Sequence, residues 1–592
     1  MSTVKIFINN QEYNVDSTYT IMKACDEIGI KIPRLCYHPK LSISSGCRIC
    51  IVEVEGMRNF VASCSYPVSE GMKVHTNTDA IRQARKDILE LILDNHPKDC
   101  NTCVRDEVCE LQQLASSIGL RERKFEGVLR TPFVDASSPS IVNNHDKCIL
   151  CGRCVRVCAQ IQNVSAIDYA NRGFNTVVVP AYNNPIAESV CTLCGQCVNI
   201  CPTAALTEQN YTKDVFSLLN DKTKVKVAQI APSVRVAIGE AFGIKPGNNM
   251  AREIVHALKL LGFDYVFDAQ FSADLTIMEE ASELLERLNG HGKLPMITSC
   301  SSGWMKALEQ FYPELIENVS TCKSPMSMLS SVVKSYFADK IGKKPTEIAN
   351  VAIMCCVAKK YEAKRPELAM EDGNPATDYV LTTRELAWMI KSAGIDFKNL
   401  KGMDFDAPLG FSTGAATIFG VSGGVMEAAV RTAYELATKS KMENINVTAV
   451  RGNEGIKEGA ININGTEIRV AVANGLGNAS KLFEEVKKDP NKYHFIEVMA
   501  CPGGCIGGGG QPYAGIQDLP FDPKLVNERA KALYSSDEKN TIRRSHENPA
   551  IIQLYKDFFG KPLSEKSHKY LHTHYKQKFP KGILRKSGKE AK

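Results

Sequence analysis

Most of the 22 cysteines in this 592-residue chain are spaced to hold metal. Two runs share one pattern. CILCGRCVRVC carries Cys148, Cys151, Cys154 and Cys158, and CTLCGQCVNIC carries Cys191, Cys194, Cys197 and Cys201. Each is C-x2-C-x2-C-x3-C, in which three thiolates of one run grip a 4Fe–4S cubane while the fourth crosses to the other cluster. One cubane is therefore expected on Cys148, Cys151, Cys154 and Cys201, and the other on Cys191, Cys194, Cys197 and Cys158. Proline follows the second run (Pro202) but not the first (Ala159).

Two further groups precede these. Cys36, Cys47, Cys50 and Cys64 keep the C-x2-C pair of plant-type 2Fe–2S sites, with a longer first gap. Only one short CxxC is present there, whereas zinc sites usually pair two. The second group is His96, Cys100, Cys103 and Cys109, in HPKDCNTCVRDEVC. An imidazole and three thiolates suit zinc as well as a cubane, and the cluster-rich context downstream favours iron–sulfur. Four clusters in series make an electron wire. Seven cysteines remain: Cys25, Cys300, Cys322, Cys355, Cys356, Cys501 and Cys505.

A chain of this length exceeds one compact core, so several domains are expected. CxxC groups without an export signal suit a reducing compartment, and no run of about 18 apolar residues would span a bilayer. The sequence reads as a cytoplasmic protein with no membrane partner. From Phe521 onward 17 Lys+Arg face 8 Asp+Glu, while the rest is near neutral. That tail also carries a helical core pattern, AIIQLYKDFFG, so it reads as a solvated surface or a docking face for an acidic protein rather than a nucleic-acid site.

The elements that must position the remaining cysteines lie after residue 224. Apolar runs (VKVAQIAP, YVFDAQ, LPMITSC, IANVAIMCC, VTAVRG, IRVAVANG, HFIEVMAC) alternate with helical stretches. This predicts parallel α/β sheets, with sites beyond the carboxyl ends of strands. Three of these strands end in cysteine, so Cys300, Cys355/Cys356 and Cys501 are expected to converge. Cys505 follows in CPGGCIGGGGQP, whose glycines are expected to admit something bulky to the main chain.

On these motifs the chain resembles the iron-only (FeFe) hydrogenases of the long bacterial kind with four accessory clusters. The family's first signature, T-S-C-C-P-x-W, stands here as TSCSSGW. The second, M-P-C-x-x-K-x-x-E, is MCCVAKKYE, and the third is MACPGGCIGGGGQP. The resemblance implies an H-cluster: a cubane bridged by a thiolate to a diiron unit carrying CO, cyanide and azadithiolate. By position Cys356, Cys501 and Cys505 are its ligands, with Cys505 the bridge, and Lys359 pairs with a cyanide. Ala231, Pro232, Ser233, Met354, Phe419 and Met499 line the pocket. Met326 stands where the family often has glutamine.

The same resemblance implies a proton relay of Glu283, Ser320, Glu280 and Cys300, with Arg287 one helical turn beyond Glu283. Aligned without a gap, Cys300 is the inner proton donor and Ser301 stands where the family has a ligand cysteine. Three readings follow. Ser301 binds as an alkoxide or the cubane rests on three thiolates; the loop slips and Cys300 becomes the ligand; or Cys355, where the family has proline, supplies the thiolate. Adjacent side chains on a strand face opposite ways, which weighs against the last.

The expected organisation is multidomain: α+β ferredoxin-like modules, then an α/β catalytic domain of parallel sheets in two lobes. Residues 1–80 form a 2Fe–2S domain and 81–125 the histidine-containing 4Fe–4S domain. Residues 126–212 form a two-cluster domain, 213–520 the H-cluster domain, and 521–592 a helical segment resembling a hydrogenase small subunit. The implied reaction is reversible reduction of protons to H2, with ferredoxin or a similar carrier as electron partner and maturation proteins inserting the diiron unit. NAD(P)-linked partner subunits stay open. The altered first signature motivates a second reading, a sensory or low-activity hydrogenase homologue.

Overall fold

A computed structural model describes residues 2–122, 125, 127–131, 133–514 and 522–580. Residues 126 and 515–521, where two expected domain boundaries fall, lie outside the described residues.

The N-terminal module is a five-stranded sheet with one early helix. Thr3–Ile8 pairs antiparallel with Gln11–Asp16 and parallel with Lys73–His75. Thr20 caps the helix Ile21–Glu27 by accepting from Lys23 N. That helix buries Ile21, Met22, Ala24 and Cys25 against Ile6, Ile8 and Val52. Cys25 is thus a small core hydrophobe. The helix Asp79–Asp94, capped by Thr78, buries Ile81 and Leu89 and leads into the histidine–cysteine turn.

The internal repeat is conformational as well as sequential. Leu150 and Leu193 both adopt left-handed backbone (φ 54° and 59°), and Gly152 and Gly195 follow at 67° and 73°. This unusual turn aims backbone N–H groups inward: Leu150 N donates to Cys148 Sγ and Leu193 N to Cys191 Sγ, both at 3.4 Å. Such turns form anion-binding nests, suited to thiolates.

Two four-stranded sheets build the catalytic domain. In the first, Val225–Ile230 and Ile348–Met354 lie side by side, flanked by Tyr265–Asp268 and Tyr379–Thr382, all parallel. All seven residues of Ile348–Met354 are buried, as a strand covered on both faces requires. In the second, Met296–Ile297, Phe495–Met499 and Thr466–Asn474 are parallel. An antiparallel edge strand, Ile456–Ile463, is added by a hairpin at Asn464–Gly465 (φ 51° and 84°). The all-parallel expectation fails there because Asn-Gly forms a tight turn. VTAVRG forms a 3-10 turn, Thr448–Val450, instead of a strand.

The C-terminal helices Pro523–Lys539, Pro549–Leu554 and Glu565–Leu571 dock on this domain. Several of the tail's basic side chains pair with its acids: Arg529 with Glu240, Arg544 with Glu435 and Lys578 with Glu367. Part of the basic surplus therefore answers acids of the same chain, which a sequence count cannot show.

Candidate active site and its accessory centres

The two ferredoxin runs interleave. One cavity is lined by Cys148, Cys151, Cys154 and Cys201, and a second by Cys158, Cys191, Cys194 and Cys197. In the first module Cys36 contacts Cys47 through its sulfur, Cys50 contacts Cys64, and Cys36 N lies 3.5 Å from Cys47 Sγ. Cys100 opens the 3-10 turn Cys100–Thr102 and Cys103 closes it; Cys109 precedes the helix Glu110–Ile118. Lys147 reaches from the next module to Asp99 (2.7 Å) and to Cys103. His96 follows the helix Asp79–Asp94, at the opening of this turn.

The catalytic cysteines lie where the two sheets open toward each other. Cys300 and Cys501 follow neighbouring parallel strands of the second sheet, and Cys356 follows a central strand of the first. Cys505 sits in a 3-10 turn, Cys505–Gly507. Burial pushes the Cys501 thiol well up, and nearby Cys356, Cys194 and Cys505 push it further. Burial likewise raises Cys356 to about 11, opposed by the Lys359 ammonium. Two buried thiols this costly to ionise, with Cys505 beside them, call for a cation in their midst.

The glycine tract departs from expectation. What approaches it is other main chain and, at Gly510, the Thr382 side chain. A Cβ on Gly508 would stand 2.4 Å from Cys355 O, one on Gly509 2.7 Å from Gly195, and one on Gly510 2.8 Å from Thr382. The tract therefore binds the last ferredoxin loop to the catalytic cleft. Gln196 Nε2, in that loop, donates to Gly507 O at 3.2 Å.

Cys300 and Ser301 diverge. The buried Cys300 thiol is raised by burial, then by Glu280, Cys505 and Glu497, while Lys359 opposes. Ser301 precedes the helix Ser302–Phe311 but does not cap it. Its Oγ instead accepts from Ala500 N at 3.2 Å, beside Cys501. Cys355, given least weight above, has its thiol against Cys505: a hydrogen bond between them lowers Cys505 and raises Cys355. Cys355 sits at a bend just past the strand Ile348–Met354, so the strand alternation that weighed against it does not apply there.

Lys359 Nζ donates to Cys300 O (3.1 Å) and pairs with Glu362 (2.7 Å). Burial disfavours its charge, but Glu362 outweighs this and the ammonium is held. Glu362 is fixed by Ser302, Ser324 and Ser327, so the first and second signatures are joined by hydrogen bonds.

The helix Ala269–Leu288 places Glu280 and Glu283 on one face. Ser320 Oγ donates to Glu283 at 2.8 Å and also reaches Glu280. Glu283 is paired with Arg287 at 2.6 Å. Burial, then Glu283 and Glu497, raise Glu280 to about 8. Glu280 Oε2 has no hydrogen-bond partner among the described residues, while the fully buried Ser233 Oγ lies against the Cys355 thiol.

Pro232 and Ser233 follow the strand Val225–Ile230, whose next residue, Ala231, donates to Ile353 O. Met354, Met326 and Ala231 belong to the core of the first lobe; Met499 and Phe419 belong to that of the second, with Cys300 against it. Sequence reasoning missed Glu497, wholly buried beside Cys300 and Cys505 and held by Gly423 N (2.6 Å) and Met426 N (2.7 Å). Its signal was available: one charge inside the apolar strand HFIEVMAC. Cys322, also unassigned, is buried within 3.9 Å of Glu283.

This donor set suits an iron–sulfur centre: converging thiolates, a serine oxygen, a fixed ammonium and an orphaned carboxyl oxygen facing the cleft. Fold and site together define a multicentre iron–sulfur oxidoreductase.

Residues 224–509 match the iron-only hydrogenase large subunit, C-terminal domain, and 523–578 the iron hydrogenase small subunit. Residues 1–79 match a 2Fe-2S iron-sulfur cluster binding domain. Residues 85–124 match an NADH-ubiquinone oxidoreductase-G iron-sulfur binding region, and 147–205 a 4Fe-4S dicluster domain. The chain is 47% identical to the NADP-reducing hydrogenase subunit HndD of Solidesulfovibrio fructosivorans, over 97% of this chain and 99% of that protein. It is 41% identical to iron hydrogenase 1 of Clostridium pasteurianum, over 97% of this chain and 100% of that protein. The apo [FeFe]-hydrogenase HydA1 of Chlamydomonas reinhardtii superposes with TM-score 0.55 at 43% identity, covering 62% of this chain and 99% of that one. The chain belongs to the iron-only (FeFe) hydrogenase family. Its reaction is the interconversion of protons and electrons with H2. No helix among the described residues is long and apolar enough to cross a membrane.

Proposed function

We propose that this chain makes or consumes H2 at a centre held by Cys356, Cys501 and Cys505, fed by four accessory clusters on the cysteine groups described above and His96. The carrying observation is the convergence of those three cysteines, from two separate sheets, beside a held ammonium and a buried carboxyl chain. When bound, the diiron unit with its CO, cyanide and azadithiolate supplies the metal site at which the H–H bond is made or split.

The residues of the chain do the rest. Lys359, kept charged by Glu362, offers a donor to an anionic ligand. Ser233 Oγ, buried against the Cys355 thiol, offers another. Cys194 lies beside Cys501, and the Gly195–Gly509 contact joins their loops, so a cluster held by Cys191, Cys194, Cys197 and Cys158 would be placed to supply electrons to the catalytic centre. Protons move by Glu283, Ser320, Glu280 and Cys300. Glu280, with its acid form favoured at neutral pH, both accepts and donates. The electron partner is a ferredoxin-like carrier, or a partner subunit that reduces NADP, as the description of HndD suggests.

Infrared spectroscopy after maturation tests the reading. CO and cyanide stretching bands, with H2 evolution from reduced viologen, are expected. Absent bands, or a rate no better than that of the apo-protein, would refute it. The serine at 301 favours one second reading, a sensory homologue. It predicts the same bands with little turnover.

A further inference from the structure

The proposed proton route has a closed outer end. Glu283 is 8% exposed and Arg287, which covers it, 7%. Beyond Glu283, the guanidinium donates to Lys293 O (3.0 Å), Glu317 O (3.2 Å), Asn318 O (3.0 Å) and Val319 O (2.8 Å). Arginine does not deprotonate in proteins, so it cannot relay a proton.

Glu283 has another neighbour. Thr321 Oγ lies 3.4 Å from Glu283 Oε2 and 2.7 Å from His572 Nδ1. His572 Nε2 pairs with Glu279 Oε2 at 3.1 Å. Glu279 is itself fixed by Tyr555 OH (2.5 Å) and Leu563 N (2.8 Å). One turn earlier on the helix Glu565–Leu571, His568 is exposed, and its ring centroid lies 4.4 Å from that of His572.

We propose that His572 is a proton-relay residue, drawing protons from solvent at His568 and passing them through the Thr321 hydroxyl to Glu283. The proposal rests on the Glu283–Ser320–Glu280–Cys300 reading. Each passage moves one proton and no electron. The imidazolium of His572 gives its Nδ1 proton to Thr321 Oγ1 as that hydroxyl gives its own to Glu283; the ring, left neutral with its remaining proton on Nε2 against Glu279, then turns so that Nδ1 takes the next proton from His568, which solvent recharges. Histidine suits the task because its charge changes near neutral pH. The groups facing His572 are Thr321, Glu279, Glu283, Cys322 and His568; Tyr555 meets Glu279, and Glu286 faces His568.

The test follows deuterium exchange of the buried Glu280 carboxylic acid through its infrared C=O band, by rapid mixing into D2O. It uses the full chain carrying accessory clusters but no diiron unit; E280Q assigns the band. H572Q and T321V are each expected to slow exchange about tenfold or more, the low end of a positioned proton-transfer group. Turnover of the matured variants is expected to fall in the same ratio, and added imidazole to restore H572Q but not T321V. Cluster spectra should be unchanged. T321V leaves the His572–Glu279 pair intact, so it reports even if H572Q misfolds. Exchange in both variants within about twofold of the unaltered chain, while E283Q is slow, would overturn the proposal. Exchange unaffected by E283Q would instead overturn the inner relay on which it rests.

Discussion

Replacing Glu280 by Gln isolates the innermost carboxyl of the relay. The amide keeps the shape of the protonated acid and its capacity to hydrogen-bond, but it cannot give up a proton. In the folded chain burial lifts this carboxyl from 4.5 to about 8. Its contribution to stability is therefore full below about pH 4.5 and is lost as pH rises through about 8. At pH 7 the raised acid costs roughly 3 kcal/mol, from 1.36 kcal/mol for each of the 2.5 pH units above its ordinary value. E280Q removes that pH dependence, so the variant should be at least as stable as the parent at pH 7 and above. Turnover should nevertheless drop by about 10²–10⁴, the usual worth of a positioned acid–base group. The assay pairs H2 evolution from reduced viologen with infrared spectra of the loaded centre. A stable, fully loaded variant retaining more than about a tenth of parental turnover would refute the relay through Glu280.

Three further outcomes are expected. K359M leaves Glu362 buried without its cation, which should cost about 3–5 kcal/mol of stability; the infrared bands of the diiron unit should fall in the same preparation. G509A forces a methyl against Gly195, where 2.7 Å is available. It should destabilise by about 1–3 kcal/mol and slow reduction of the catalytic centre from the front clusters, read by stopped flow. S301C should raise retention of the fourth iron of the cubane on oxidation. S301A should lower it, giving the electron paramagnetic resonance signal of a three-iron cluster, whereas identical behaviour of S301A and the parent would remove Ser301 from the ligand set.

The fold was legible wherever periodicity was strong. Ile348–Met354 and Phe495–Met499 read as buried strands because nearly every residue in them is apolar. Ile456–Ile463 was missed because it is an edge strand with alternating exposure and its IKEGAINI sequence contains Gly and Lys, poor strand formers. The two ferredoxin runs announced their chemistry through spacing; the histidine-containing group did not, because its ligands suit zinc as well. The surroundings of Cys300 were not legible, because Glu497, Lys359 and Glu280 come from three distant segments and their effect depends on burial. Cys355 shows the limit of local rules: alternation holds along a strand, and that residue lies just past its end. Likewise His572 is an ordinary histidine in the sequence and gains its meaning only when Cys322 and His572 bridge as neighbouring backbone.

The contact between Gly195 and Gly509 leaves no space for even a methyl group. The wire's final segment is thus part of the wall of the reaction chamber. Removing the front modules would leave carbonyls and amides of the CIGGGG stretch facing water, and the chamber would need a new lining. HydA1, 99% of whose chain aligns with only 62% of this one, marks the scale of what this chain adds.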